Sequence, residues 1–436
     1  MKRGIARTGR LRTLVAATLA LVLPLSLTAC GDSEGGGDAG DPSSVSGTVT
    51  WWDTSDATNE APAYQELVAQ FRARYPKIKV DYVNVPFDGA EDKFKTAAQS
   101  GNGAPDVMRA DIGWTPTFAG LGYLQPLDGT PALDKDADYL DGPKATTRYE
   151  GRTYGVPQVT DTLALMYNKE LFAKAGITQP AKTWDELRTQ AQRIEQRVPG
   201  TTGIFLPVDT YYLMPFIYGE GGELVDVASK KVTVDSPQVA AAIETMRGLT
   251  VPGTGKTDPS SNGYTNMQND FAGGRVAMVI NGPWAVSEDL KGPAFARPDN
   301  LGVAPIPSGS KGQGAPTGGH NYVIYAGSGD IQASILFLRF MNSAEAQAQV
   351  AVKNSTMPTR KSVYDQPSVT GVQPLAAFKD PLAVSRPRPP VAGAGSLYDA
   401  IKPYFEKIMT GQATTADALK QAEQESVALV PGFSAN

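Results

Sequence analysis

Cysteine and histidine are nearly missing from this chain, with one of each in 436 residues. A lone cysteine, Cys30, cannot form an intrachain disulfide, and thiolate metal or iron–sulfur sites need more than one. A lone histidine, His320, rules out His-rich metal sites, and no G-x-S-x-G elbow accompanies it. Set in Thr317-Gly318-Gly319-His320-Asn321, it reads as structural. Long apolar runs are as scarce. The only one extends from about Leu14 to Leu27, short of the ~20 residues a membrane-spanning helix needs. Acidic residues are absent before Cys30, whereas Lys2, Arg3, Arg7, Arg10 and Arg12 all precede it. No segment repeats with a fixed period.

A basic start, an apolar stretch and small residues before Cys30 are the make-up of a secretory signal. Its end, Leu27-Thr28-Ala29-Cys30, resembles the bacterial lipobox. That resemblance implies cleavage before Cys30 and a thioether-linked diacylglycerol on it. The mature chain is then expected at the outer face of the cell membrane, or in the periplasm where an outer membrane exists. Losing residues 1–30 takes the formal charge from −5 to −10. An acidic surface repels phosphate backbones and anionic lipid, so no nucleic-acid partner is expected, and membrane contact only through the lipid. The remaining length suits two cores rather than one.

Residues 31–46, mostly Gly, Asp and Ser, read as a flexible tether. Thr48-Val49-Thr50-Trp51-Trp52 is strand-like and stops at Asp53. Tyr64, Leu67, Val68, Phe71 and Tyr75 keep a one-sided helical spacing that Pro76 ends. Ile78, Val80 and Tyr82 alternate as a strand, residues 90–99 form a helix, and Pro105-Asp106-Val107-Met108 opens another strand. This βαβαβ rhythm argues for a parallel sheet in an α/β fold. A second α/β block follows. It holds a strand at Leu163–Tyr167, a helix opened by the Thr183-Trp184-Asp185-Glu186 capping box, a helix capped by Ser236, and a strand turning at Asn281-Gly282-Pro283. Tyr322–Tyr325 is a further strand, and helices near 331–341 and 415–427 complete the chain. Gly253-Thr254-Gly255-Lys256-Thr257 lacks the first P-loop glycine, position 250 being Thr, and reads as a surface turn. Gly309–Gly319 reads as a mobile loop, and Arg386-Pro387-Arg388-Pro389-Pro390 as a connector.

Aromatic and carboxylate residues recur together at strand ends: Trp51 and Trp52 with Asp53 and Asp56, Asp111 with Trp114, Asp161 before Tyr167, Asp209 with Tyr211 and Tyr212, Trp284 after Asn281-Gly282-Pro283, and Tyr398 before Asp399. In open α/β sheets, ligands bind beyond the carboxyl ends of the strands. A pyranose has an apolar C–H face that can lie on an aromatic ring, and a rim of hydroxyls that donate to carboxylates.

Several strings resemble the extracellular solute-binding proteins of carbohydrate ABC transporters, specifically the maltose/maltodextrin-binding group. They are Thr50-Trp51-Trp52-Asp53, Gly103-Ala104-Pro105-Asp106-Val107, Tyr154-Gly155-Val156-Pro157, Leu165-Met166-Tyr167-Asn168-Lys169, Thr183-Trp184-Asp185-Glu186-Leu187, Tyr218-Gly219-Glu220-Gly221-Gly222, and Ala277-Met278-Val279-Ile280-Asn281-Gly282-Pro283-Trp284. The resemblance implies a two-lobed clamp of the type II periplasmic-binding-protein kind, each lobe a mostly parallel sheet flanked by helices, with several interlobe crossings. It divides the chain into an N-terminal lobe (47–160 and 322–376) and a C-terminal lobe (161–321 and 377–436). By position it implies sugar contacts from Asp53, Asp56, Asp111, Asp161, Asp209, Tyr211, Trp284 and Tyr398. No cofactor, metal or catalytic residue is implied. The partners would be an oligosaccharide and the permease subunits of an ABC transporter, with the receptor a monomer. The chain departs from the pattern near the last crossing: Arg388 stands where an aromatic is expected, and Tyr398 where a tryptophan is common. Both favour a shorter α-glucoside over long maltodextrins. Two other readings of the same residues stay open: a lipid-anchored glycoside hydrolase using two carboxylates, and a clamp for a non-sugar ligand.

Overall fold

The computed structural model describes residues 42–436. The expected signal sequence with Cys30, and the expected tether up to residue 41, lie outside the described residues. Among those described, no helix is long and apolar enough to cross a membrane.

The strands that build the two main sheets are, in chain order, β1 Gly47–Asp53, β2 Ile78–Asn84, β3 Val107–Asp111, β4 Gly155–Thr162, β5 Ala164–Asn168, β6 Thr202–Phe205, β7 Gly255–Lys256, β8 Val276–Asn281, β9 Leu301–Ala304, β10 Thr317–Ile324 and β11 Met357–Pro358. The first sheet has the order β11-β4-β10-β3-β1-β2 and the second β7-β6-β8-β5-β9. In the first, β1 runs parallel to β2 and β3, as the βαβαβ rhythm predicts. The helix Ala61–Arg74 covers one face with Tyr64, Leu67, Val68 and Phe71, and the helix Ala90–Ser100 stops at the left-handed Gly101.

Both sheets are mixed rather than mostly parallel. β10 is antiparallel to β3 and β4, and β5 is antiparallel to β8 and β9. The reason is the crossings. β4 ends in the first sheet and passes through Leu163 directly into β5 of the second, while β10 enters the first sheet from the second lobe. Strands arriving this way have no crossover helix to impose a parallel direction. The return strand starts at Thr317, ahead of the expected boundary at 322, and Asp161 still belongs to the first sheet. One apolar cluster is common to both lobes: Met166, Phe271 and Val279 of the second pack with Ala348, Ala351 and Val363 of the first.

The helix caps follow the sequence. Thr183 Oγ1 accepts from the Glu186 amide at 3.2 Å and Ser236 Oγ from that of Val239 at 3.3 Å. Glu186 itself accepts from the Lys182 amide rather than from that of Thr183. The glycine run is a correction: Gly318 and Gly319 belong to strand β10, not to a loop.

Candidate functional site

Asp111 is the last residue of β3, and Asp161 is the penultimate residue of β4. Asp161 therefore sits at the crossing to the other lobe, and Asp111 lies across β10 from it, at the carboxyl end of β3. Asp111 Oδ1 accepts from the Gly113 amide at 2.7 Å, which closes a tight turn. Its carboxylate is gripped by Arg388 Nη2 at 2.8 and 3.0 Å. The segment carrying Arg388 is fixed by backbone hydrogen bonds from Arg386 to Ala315 and from Thr317 to Arg386.

Asp161 has far less support. Its Oδ1 receives only the Tyr211 hydroxyl, at 3.5 Å, although the residue is 7 % exposed. Burial pushes its carboxyl up to about 7, and the Asp111 charge adds to this, while Arg388 and Arg109 oppose it. A carboxyl poised near neutrality can donate or accept a hydrogen bond. Gly318 lies opposite Asp161 in the sheet, and a Cβ there would fall 2.0 Å from Asp161 Oδ1 and 2.5 Å from the Tyr211 oxygen. The strand is glycine at this point because the acid and the phenol use its space.

Tyr211 begins the helix Thr210–Gly219, whose N-cap is Asp209. Its ring centroid lies 6.4 Å from Trp284 and 6.2 Å from Tyr398. Trp284 sits in the turn after β8, where any Cβ on Gly282 would collide with its ring. The indole N–H donates to the Tyr264 hydroxyl at 3.0 Å. Burial raises the phenols of Tyr211 and Tyr398 above their ordinary range, so both stay neutral.

Asp111, Asp161, Tyr211, Trp284 and Tyr398 thus form one linked group. Asp53, Asp56 and Asp209 do not join it. Asp53 is fully buried, with Oδ1 taken by the Ser55 amide and Oδ2 by the Ser55 and Tyr82 hydroxyls. Asp56 is exposed and accepts from the Thr58 and Asn59 amides, holding a turn. Asp209 caps the Tyr211 amide at 2.9 Å and pairs with Lys402 at 3.1 Å. Trp51 lies in the core, edge-on to Tyr64, Tyr82 and Tyr322.

Some neighbours of the group were not among the expected sugar contacts. Arg388 places its guanidinium over Tyr211 and Tyr398. Tyr264 supports Trp284. Phe87, 45 % exposed, stacks on Trp114 at 5.0 Å and meets His320 edge-on. Neither ring nitrogen of His320 has a hydrogen-bond partner among the described residues; burial, then Arg109 and Arg388, keep its imidazole neutral. No group of three or more His, Cys, Asp or Glu residues among those described is placed to hold a metal ion.

The two lobes meet around this group. Ser396 Oγ donates to Glu91 Oε1 at 2.6 Å, the Gly393 amide to Thr117 Oγ1 at 2.9 Å, and Lys291 Nζ to Asn59 Oδ1 at 3.4 Å. A sequence profile described as "Bacterial extracellular solute-binding protein" matches residues 56–348. The chain belongs to that family. The GacH receptor of Streptomyces glaucescens GLA.O, solved unliganded and with acarbose, is 44 % identical and superimposes with a TM-score of 0.84 over 89 % of this chain and 100 % of that one. The maltose-bound MalE3 of T. maritima is 26 % identical, with a TM-score of 0.79 over 88 % of this chain and 100 % of its own. The diacetylchitobiose-binding protein DasA of Streptomyces coelicolor is 27 % identical across 95 % of this chain and 97 % of its own length. Such relatives are solute-binding proteins of transporters, and so is this chain; the hydrolase reading is set aside. The two-lobed clamp is likewise the fold of its structural neighbours.

Proposed function

We propose that the chain is a lipid-anchored extracellular receptor that clamps a short maltose- or maltodextrin-type oligosaccharide between its lobes and delivers it to an ABC permease. The observation that carries this reading is the under-partnered Asp161 beside the rings of Tyr211, Trp284 and Tyr398. A half-buried ring offers a face to a pyranose, and a carboxyl that lacks partners offers sites to its hydroxyls. Asp111 would contribute through the oxygen lone pairs that Arg388 leaves free. Asp53, Asp56 and Asp209 would act indirectly, by shaping the turn and helix that hold the others. Acarbose, maltose and diacetylchitobiose, the ligands of the relatives above, are all short saccharides or saccharide mimics.

Calorimetric titration with maltotriose tests the proposal. Replacing Trp284 by Ala is expected to weaken binding roughly 10-fold, as the loss of a good aromatic stack should. Unchanged affinity would take Trp284 out of the site, and absence of binding by the intact protein would remove the reading. Anchoring is checked separately: Cys30→Ala should shift the protein from the membrane fraction to the medium.

A further inference from the structure

We infer that Arg388 is the specificity-determining residue that ends the saccharide groove and restricts it to short chains. This rests on the sugar-binding reading above. Arg388 stands between Pro387 and Pro389, whose rings fix the flanking backbone. Its Nε donates to the Thr317 carbonyl at 3.3 Å, and Nη2 holds Asp111 of the first sheet. So tied, the guanidinium lies 5.9 Å from the Tyr211 ring centroid and 5.8 Å from that of Tyr398. At ~6 Å a cation is within reach of the ring quadrupole, so the one face that each ring turns toward Arg388 is covered. A pyranose can stack there only by displacing an arginine held by an ion pair.

Behind Arg388 and Tyr398 lies a cavity of about 20 Å³, lined also by Gly113, Tyr218, Glu223 and Gly395. That volume admits a water molecule and not a sugar ring. At its wall two backbone segments come close: a Cβ on Gly395 would stand 2.7 Å from the Gly113 carbonyl oxygen. The clamped guanidinium and the narrow cavity lie together, next to Tyr398.

The test is calorimetric titration of the protein with maltose, maltotriose and maltohexaose, before and after substitution. The intact protein is expected to bind maltotriose at least as tightly as maltohexaose. Arg388→Ala joins the side chain's space to the cavity and uncovers two rings. It should shift the maltohexaose-to-maltotriose affinity ratio about 10-fold toward the longer chain, the worth of one further ring contact. Arg388→Met fills the same space without charge and should keep the original ratio. A parallel loss for every chain length in Arg388→Ala would overturn the inference. So would an intact protein that prefers maltohexaose, a result that needs no variant to fold. If the intact protein binds none of the three sugars, the sugar reading falls and this inference with it; binding with an unmoved ratio sinks the inference alone.

Discussion

Asp161 is an acid kept at a disadvantage by its own fold. Its carboxyl titrates at about 7 in the folded chain against an ordinary 3.8, chiefly because it is buried and secondly because Asp111 is near. Between those values the folded state holds a proton that the unfolded chain has released. The contribution of this group to stability is therefore best in acid and declines as pH rises toward 7. Asp161→Asn removes the titration. The variant should match the parent near pH 4 and exceed it by up to a few kcal/mol at pH 8, read from denaturant melts at both values. A gap that widens toward acid would show the carboxyl to be ionised and stabilised instead. The contrast with Asp53 marks what single residues reveal before folding. Both acids end or adjoin a strand, and both were expected to face a ligand. Whether a carboxylate is left free depends on the donors that come near it, here Ser55 and Tyr82 for one and a distant Tyr211 hydroxyl for the other. Donors on other elements leave no mark on the local pattern, and the pairing of Arg388 with Asp111 was not legible for the same reason.

Strand β10 explains why a run of glycines was misread. Gly318 and Gly319 look like loop residues, since glycine is poor at filling a pleated surface. In the sheet, Gly318 makes room for Asp161 and Tyr211, while Gly319 has a φ of +127° and a Cβ there would strike the Val159 carbonyl at 2.1 Å. The two positions should respond differently. Gly318→Ala adds a methyl group into the ligand-facing cluster without a left-handed backbone. It is expected to fold, yet to lose maltotriose affinity about 10-fold or more because acid and phenol must move apart. Gly319→Ala adds backbone strain and should cost about 1–3 kcal/mol of stability. Paired melting and titration experiments separate the two, and equal effects on both measurements would refute the division of labour. The helices Ala61–Arg74, Ala90–Ser100, Trp184–Arg197 and Pro237–Leu249 were legible because their signals are local (spacing of apolar residues, an oxygen at the N-cap, a glycine at the end), whereas Thr210–Gly219, Ala344–Asn354 and Leu397–Met409 were not. Of the strands at the crossings, β5 and the latter part of β10 were located by apolar content and β4 was not, and their antiparallel pairing depends on partners more than a hundred residues away.

Closing a two-lobed clamp requires contacts that exist only when the lobes touch. Here the lobes touch through Ser396 with Glu91, Arg388 with Asp111, Gly393 with Thr117, and Lys291 with Asn59. The apolar cluster shared by both lobes also packs them together. A ligand favours the closed arrangement only by its differential affinity, about 5.5 kcal/mol for a full swing from 1:99 to 99:1. Each interlobe hydrogen bond lowers that demand. Glu91 is buried, and burial pushes its carboxyl up, with the Ser396 hydroxyl as the first opposing influence. Ser396→Ala leaves Glu91 with Lys95 alone at 3.3 Å. The lost charged bond, about 1.5–3 kcal/mol, would be felt only in the closed form. Maltotriose affinity should therefore drop by about 10-fold or more although Ser396 is remote from the rings, while the melting temperature of the open, sugar-free protein stays put. Small-angle scattering completes the argument, since the variant should need more maltotriose to reach the compact radius. If affinity and compaction are both unmoved, the Glu91–Ser396 bond has no part in closure.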